Sequence, residues 1–167
     1  MRKCAGCATA TGTPSIMPQC ETKYFSEIEY QPQAVVEFRE GLFGFEQERQ
    51  FLLIDRQDLK PLIFLQSLAT PGLCFLTLPV RVISPDYQLE MTAEDRDRLA
   101  LKKKPEIGLD VACLAIVNLR ESGTVVNLLA PLVIDLETQH AIQAIVSGQG
   151  YSHEHPFYAE TPVAAGT

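Results

Sequence analysis

The chain has 167 residues, of which 46% are hydrophobic, and a formal net charge of −7. This length suits one domain that buries roughly two thirds of the surface its unfolded chain exposes. Acidic residues outnumber basic ones, 21 to 14. This balance argues against a general nucleic-acid-binding protein, because such proteins gain affinity by neutralising phosphates. The apolar runs are too short to cross a bilayer.

The N-terminal stretch is rich in Ala, Thr, Gly and Pro and shows no periodicity, which predicts a disordered extension over 1–20. It contains Cys4 and Cys7, but the context of a redox motif or a zinc site is missing around them. A single folded domain is predicted over 21–158, followed by a flexible tail over 159–167. Since the N-terminal stretch lacks the apolar segment of a secretory signal, a cytoplasmic location is expected.

Short apolar stretches separated by turn sequences dominate the remaining chain and predict strands. The first predicted strand is TKYFSEIEY, and the second is AVVEF. Further strands are predicted, in chain order, at QFLLID, LIFLQSL, LCFLTL, VACLAIVNL, TVVNLLA, APLVIDL and HAIQAIV. In APLVIDL the alternation places Leu132, Ile134 and Leu136 on one side, which is typical of a half-buried strand.

The segment MTAEDRDRLALKKKPE instead predicts a short helix. Thr92 is a suitable N-cap, acidic residues fill the first turn, basic residues fill the last turn, and Pro105 ends the run. The predicted fold is therefore all-β, a small antiparallel β-barrel-like domain with one short helical insertion.

Sequence motifs of catalysis are scarce, and a non-enzymatic protein without a metal or cofactor is expected. His153 and His155 would point the same way on an extended segment, as metal ligands do, but a surface segment that only hydrogen-bonds is the favoured interpretation. The alternative function is a β-barrel protein or enzyme that binds a small ligand or metal at the GLFGF sequence and these histidines.

The GLFGF sequence forms a glycine-flanked loop after the second predicted strand. In one interpretation, Leu42 and Phe45 plug an end of the barrel while Gly41 and Gly44 supply unusual backbone angles. In the other, the loop is an exposed rim that docks an apolar helical face, with Phe43 as its anchor. Both hold together if Phe45 points inward and Phe43 outward. Acidic residues around the loop would steer a basic or amphipathic partner: Glu40, Glu46 and Glu48.

Several motifs resemble, in their order and spacing, those of the flagellar assembly factor FliW family. They are FREGLFGF from Phe38 to Phe45, LQS from Leu65 to Ser67, NLLAPL from Asn127 to Leu132, and YSHEHP from Tyr151 to Pro156. The resemblance spans about Thr22 to Phe157. The Cys-containing extension departs from the family, so no function is transferred to it.

The resemblance implies a β-barrel-like protein without catalytic activity that binds flagellin at its terminal helical region and also binds CsrA, an RNA-binding repressor of flagellin translation. Flagellin in the cytosol would occupy the protein and leave CsrA free to repress, and export of flagellin would reverse this. Direct nucleic-acid binding and membrane association are not expected. The candidate partner-binding residues are Glu40, Gly41, Leu42, Phe43, Gly44, Phe45, Glu46, Glu48, Gln66 and Asn127.

Overall fold

A closed seven-stranded barrel forms the body of the structure, a computed structural model that describes residues 16–158. The all-β, barrel-like prediction is therefore confirmed. The strands are β1 (Gln19–Glu21), β2 (Glu27–Glu29), β3 (Val35–Phe38), β4 (Gln50–Ile54), β5 (Ile63–Ser67), β6 (Cys74–Pro79), β7 (Val111–Arg120), β8 (Gly123–Val126), β9 (Leu132–Asp135), β10 (His140–Gln143) and β11 (His155–Pro156), and the helices are α1 (Val80–Ile83) and α2 (Ala93–Arg98).

The barrel runs in the order β7-β6-β5-β4-β3-β10-β9 and closes by pairing of β9 with β7. All of these pairs are antiparallel except β10 with β3, which is parallel. The ten-residue strand β7 makes closure possible because Val111–Leu114 pair with β9 and Val117–Arg120 pair with β8. Strand β11 extends β8 outward, and β1 and β2 form a separate two-stranded sheet.

The barrel wall is buried on both faces over much of its area. Leu132 and Ile134 of β9 join the interior cluster together with Phe38 and Phe51. Val133, on the opposite face of β9, instead packs in an outer cluster with residues of the 80–110 connection. The prediction of a half-buried β9 is therefore wrong, because this connection covers the face that alternation assigned to solvent.

Helix α2 confirms the predicted N-cap but ends earlier than its sequence indicates. The Thr92 hydroxyl accepts a hydrogen bond from Asp95 N at 3.0 Å. Ala100 adopts a left-handed conformation with φ 54°, so that its N–H and that of Leu101 bond back to Asp97 O and Arg96 O. This pattern closes the helix as a Schellman motif, and the following lysines lie outside it. The structure also contains α1, which the sequence did not predict.

Only the second half of the predicted strand TKYFSEIEY forms a strand, β2, because residues 22–26 turn the chain. The Thr22 hydroxyl accepts from Phe25 N at 2.8 Å and donates to Ser26 O at 2.7 Å, and Ser26 has φ 57°. These local bonds separate β1 from β2. Strand β1 begins at Gln19, inside the predicted extension, because Cys20 is buried against the barrel. Residues 1–15, including Cys4 and Cys7, and the tail 159–167 lie outside the described residues.

Candidate partner-binding site

The GLFGF loop closes one end of the barrel with a single leucine. Leu42 is buried in the interior cluster. Its N–H and carbonyl exchange two hydrogen bonds with Phe45, at 3.3 and 2.8 Å, and Gly41 N donates to Phe38 O at 3.0 Å. The plug interpretation is therefore confirmed for Leu42.

Both loop glycines have positive φ angles, but they differ in the space around them. Gly41 has φ 71°, and a Cβ at this position would lie 2.6 Å from Glu46 Cα. Gly44 has φ 83°, and a Cβ there would meet nothing within 4 Å. Both angles favour glycine, and at Gly41 the close backbone approach adds a second requirement.

The two phenylalanines face outward. Phe43 is 56% exposed, as predicted, and Phe45 is 40% exposed. Phe45 packs edge-to-face on Phe75 with ring centroids 5.2 Å apart, so the expectation that it plugs the barrel is wrong. Leu42 already occupies the interior, and the tight Leu42–Phe45 bridge carries the second ring to the outer rim.

Gln143 and Phe75 are site residues that the sequence did not reveal. The Gln143 side chain accepts from Phe43 N at 2.9 Å through Oε1 and donates to Ala130 O at 3.2 Å through Nε2. It thereby ties the loop to β10. A cavity of about 200 Å³ opens beside Phe43, next to Gln143 and Arg98. These residues are far from the loop in the sequence, and only the closure of the barrel brings them together.

The three acidic residues around the loop have different environments. Glu40 lies 3.3 Å from the Arg98 guanidinium, and Glu46 is exposed and accepts from Gly44 N at 3.1 Å. Glu48 accepts from the hydroxyls of Ser67 and Thr70. Glu48 therefore joins the loop to the β5–β6 turn, whereas Glu46 remains the exposed carboxylate on the rim.

Gln66 and Asn127 serve the fold rather than an exposed surface. Gln66 is fully buried, accepts from Lys23 N at 2.9 Å and donates to Pro71 O at 3.0 Å. Asn127 is half-buried, and its Oδ1 accepts from Ala130 N at 2.9 Å. The prediction that Gln66 contacts a partner directly is wrong, because a buried amide must satisfy its polar groups internally.

The candidate histidines lie on another part of the fold. His155 belongs to β11 and pairs with Val126, whereas the loop packs against β10 and β6. His153 lies 4.0 Å from Glu154, whose pKa is lowered by the hydrogen bond and charge of Arg120. Within residues 16–158 we find no cluster of three His, Cys, Asp or Glu side chains suited to a metal. The alternative function therefore lacks the juxtaposition that it requires.

None of the helices in the described part of the chain has the length and apolar character needed to cross a membrane.

Comparisons with known proteins agree with one another. A family model described as "FliW protein" matches residues 19–157. The chain is 33% identical over 135 residues to the flagellar assembly factor FliW of Syntrophomonas wolfei subsp. wolfei, covering 81% of this chain and 85% of that protein. It is 32% identical over 143 residues to the one of Caldanaerobacter subterraneus subsp. tengcongensis, covering 85% and 94%. A crystal structure of a flagellar assembly factor FliW matches with a TM-score of 0.75 and 29% identity, covering 86% of this chain and 99% of that one.

Proposed function

The chain belongs to the FliW family of flagellar assembly factors, and from this premise we propose that it binds flagellin at its terminal helical region and, in competition, the translational regulator CsrA. In this proposal it acts in the cytoplasm by occupying protein surfaces, and it makes or breaks no covalent bond. Both partners are those that its sequence resemblance implies.

The observation that carries the proposal is the exposure of two phenylalanines on a loop whose backbone is fixed. Phe43 and Phe45 are held by the Leu42–Phe45 bridge and by the hydrogen bond from Phe43 N to Gln143. Exposed aromatic side chains are enriched where proteins meet, and a loop that is ordered before binding loses little conformational entropy on binding. The loop is thus well suited to insert apolar rings into the apolar face of a helix.

The charge around the loop favours a partner with basic residues. Glu46 is exposed beside the rings and forms no ion pair among the described residues. The whole chain carries a net charge of −7, so long-range attraction accelerates encounter with a basic or amphipathic surface. Glu40 contributes less to this attraction because Arg98 lies 3.3 Å away.

Competition between two partners for the same rim is sufficient for regulation. When flagellin accumulates, it occupies the protein by mass action, and CsrA is left free to repress translation. When flagellin is exported, the vacated rim takes up CsrA and translation resumes. The protein then reports the concentration of unexported flagellin without any chemical step.

The test is calorimetric titration of Phe43→Ala with flagellin and with CsrA. If Phe43 is an anchor, the substitution weakens binding by roughly 1–3 kcal/mol and leaves the unfolding temperature unchanged, because the ring is exposed. Leu119→Ala is the matched control, since Leu119 is 70% exposed on β7. Equal affinities of the two variants would contradict the role of the loop.

Competition is tested by adding flagellin to a preformed complex with CsrA. Stoichiometric release of CsrA is expected. Formation of a complex that contains all three proteins would contradict a shared rim while leaving binding itself intact.

A further inference from the structure

A second apolar surface lies beyond the C-terminal end of α2. A groove of about 650 Å³ runs between the 106–110 turn and the β9–β10 turn. We call it the leucine groove. Its apolar lining consists of Leu99, Ala100, Leu101, Pro105, Leu109 and Leu136. Two of these side chains are exposed on its rim, Leu109 at 68% and Leu136 at 42%.

Leu109 is held outward by the geometry of its turn. The N–H groups of Leu109 and Asp110 both donate to Glu106 O, at 3.2 and 2.9 Å. The Asp110 carboxylate accepts from Glu106 N at 2.9 Å and closes the turn from the other side. With its backbone fixed in this way, the turn cannot rotate Leu109 into the core without losing these bonds.

Leu136 is fixed in the same manner on the opposite wall. Its N–H donates to Asp110 O at 3.1 Å, which joins the two turns directly. Its carbonyl accepts from Gln139 Nε2 at 3.1 Å, and the Asp135 carboxylate accepts from Glu137 N at 2.9 Å. The two exposed leucines therefore belong to one preformed surface, which reduces the entropic cost of binding.

The rim of the leucine groove is basic on one side, although the chain as a whole is acidic. Lys102 and Lys103 line the groove. Lys102 forms no ion pair within residues 16–158, and Lys103, which is largely exposed, lies 3.9 Å from the Asp110 carboxylate. Lys104, next in the chain, is engaged with Glu90 at 2.7 Å and is not among the lining residues.

On the opposite wall, two of the three acidic side chains accept hydrogen bonds from backbone N–H groups. Asp110 and Asp135 accept backbone N–H groups, and Asp135 is buried. Glu137 is exposed and lines the groove. The two walls thus differ in charge, with lysines on one side and a single exposed carboxylate on the other.

We propose that the leucine groove docks an amphipathic α-helix of a partner protein, with its apolar stripe on Leu109 and Leu136 and acidic residues facing Lys102 and Lys103. A helix fits better than a strand because the N–H groups of Leu109, Asp110 and Leu136 already donate within the turns, so the groove does not present a continuous row of open N–H groups to an added strand. An acidic flank follows from charge complementarity, because the lysine wall would repel a basic one.

This surface is distinct from the loop described above. The leucine groove and the Phe43 cavity share no lining residue: the groove is lined from Leu99 onward, whereas Arg98 and Glu40 line the Phe43 cavity. Binding at the leucine groove is therefore expected to survive Phe43→Ala, and its failure would leave the proposed binding of flagellin at the loop untouched.

The test uses a synthetic, fluorescein-labelled helical peptide of about 18 residues, long enough to form a helix in isolation. It carries leucines at i, i+3, i+4 and i+7 and glutamates along one flank, and a matched peptide carries lysines instead. Fluorescence anisotropy uses the Phe43→Ala variant of the full chain, because the intact loop would itself attract the lysine peptide. The glutamate peptide is expected to bind this variant at least about tenfold more tightly than the lysine peptide, as expected for like-charge repulsion at an interface.

Two variants locate the binding. Leu109→Ser is expected to weaken binding of the glutamate peptide by about tenfold or more, as for an interface anchor, and the pair Lys102→Glu and Lys103→Glu is expected to reverse the preference between the peptides. Leu119→Ser is the matched control and is expected to change neither. Because all of these side chains are exposed, thermal unfolding should confirm that each variant is folded.

Several results would overturn the proposal. They include equal binding of the two peptides, binding of neither, or equal effects of Leu109→Ser and Leu119→Ser. Sedimentation of the full chain as a dimer that Leu109→Ser dissociates would identify a second copy as the occupant and overturn the choice of partner.

Discussion

Alanine substitutions at the two glycines of the GLFGF loop test how closely the loop backbone packs around each position. Both have left-handed φ angles, so an alanine at either position costs about 1–2 kcal/mol in backbone energy. Only at Gly41 would the new Cβ also approach the Glu46 backbone, with Cα at 2.6 Å and the carbonyl O at 2.7 Å. The pair Gly41→Ala and Gly44→Ala therefore separates the cost of φ from the cost of contact.

The contact at Gly41 is expensive because its neighbour is backbone rather than a flexible side chain. Overpacking of this kind typically costs 1–3 kcal/mol, so we expect Gly41→Ala to lower the free energy of unfolding by roughly 2–5 kcal/mol and Gly44→Ala by only about 1–2 kcal/mol. If the loop releases instead, Leu42 leaves the interior, and the loss of its burial sets a cost of about 1.5–3 kcal/mol.

Urea denaturation measures both variants, and an unchanged m-value shows that the comparison concerns stability alone. Thermal unfolding gives a second estimate, at about 2–4 °C per kcal/mol for a domain of this size. Gly41→Ala should also weaken partner binding, because a displaced loop carries Phe43 with it. Independent mutational effects are reproduced to within about 0.5 kcal/mol. If the two variants lose stability equally within that margin, the close approach at Gly41 is refuted.

Two further predictions concern other parts of the fold. Ala100→Gly should raise the free energy of unfolding, measured by urea denaturation, by roughly 0.5–1 kcal/mol, because glycine relieves the left-handed strain after α2. The gain is smaller than the strain itself, since glycine also increases the conformational entropy of the unfolded chain. Unchanged or lower stability would argue against this cap. Burial raises the pKa of Cys74 to about 11 and that of Cys113 to about 12, so in a Cys4→Ser, Cys7→Ser, Cys20→Ser variant, which keeps only these two thiols, the folded protein should react slowly with a thiol reagent at pH 8 and rapidly once denatured. Since these folded-state pKa values are raised, their contribution to stability is complete below the ordinary thiol pKa and is lost as the pH rises toward 11–12. Fast labelling of the native variant would contradict the burial.

Much of the barrel could be predicted from the sequence because its strands carry their own signals. Strands β3 to β10 lie in apolar stretches bounded by turn residues, and each of them was predicted within a few residues. The N-terminal hairpin was missed because its signal is a hydrogen-bonding threonine: Thr22 turns the chain where alternation predicts a continuous strand. Similarly, α2 ends at Arg98 and is closed by Ala100, although alanine is ordinarily a strong helix former.

In the candidate site, only the features that depend on neighbouring residues in the sequence could be predicted. The positive φ angles of Gly41 and Gly44 and the burial of Leu42 could be predicted, because they depend on the sequence of the loop itself. The outward position of Phe45 depends on Phe75, and the tether of Phe43 depends on Gln143, each distant in the chain. Gln66 belongs to the LQS motif and is a partner-binding candidate from the sequence, which does not reveal that its amide bonds Lys23 N and Pro71 O.

Barrel closure accounts for both the plugged interior and the exposed rim. Pairing of β9 with β7 encloses the interior, Leu42 joins the interior cluster, and the short Leu42–Phe45 bridge places the Phe45 ring outside against Phe75. Phe43 and Phe45 lie outside, where burial of Leu42 holds the loop that presents them. The stability of the core and the shape of the exposed rim thus depend on the same residue. For this reason, substitution of Leu42 should impair folding and binding together, whereas substitution of Phe43 should impair binding alone.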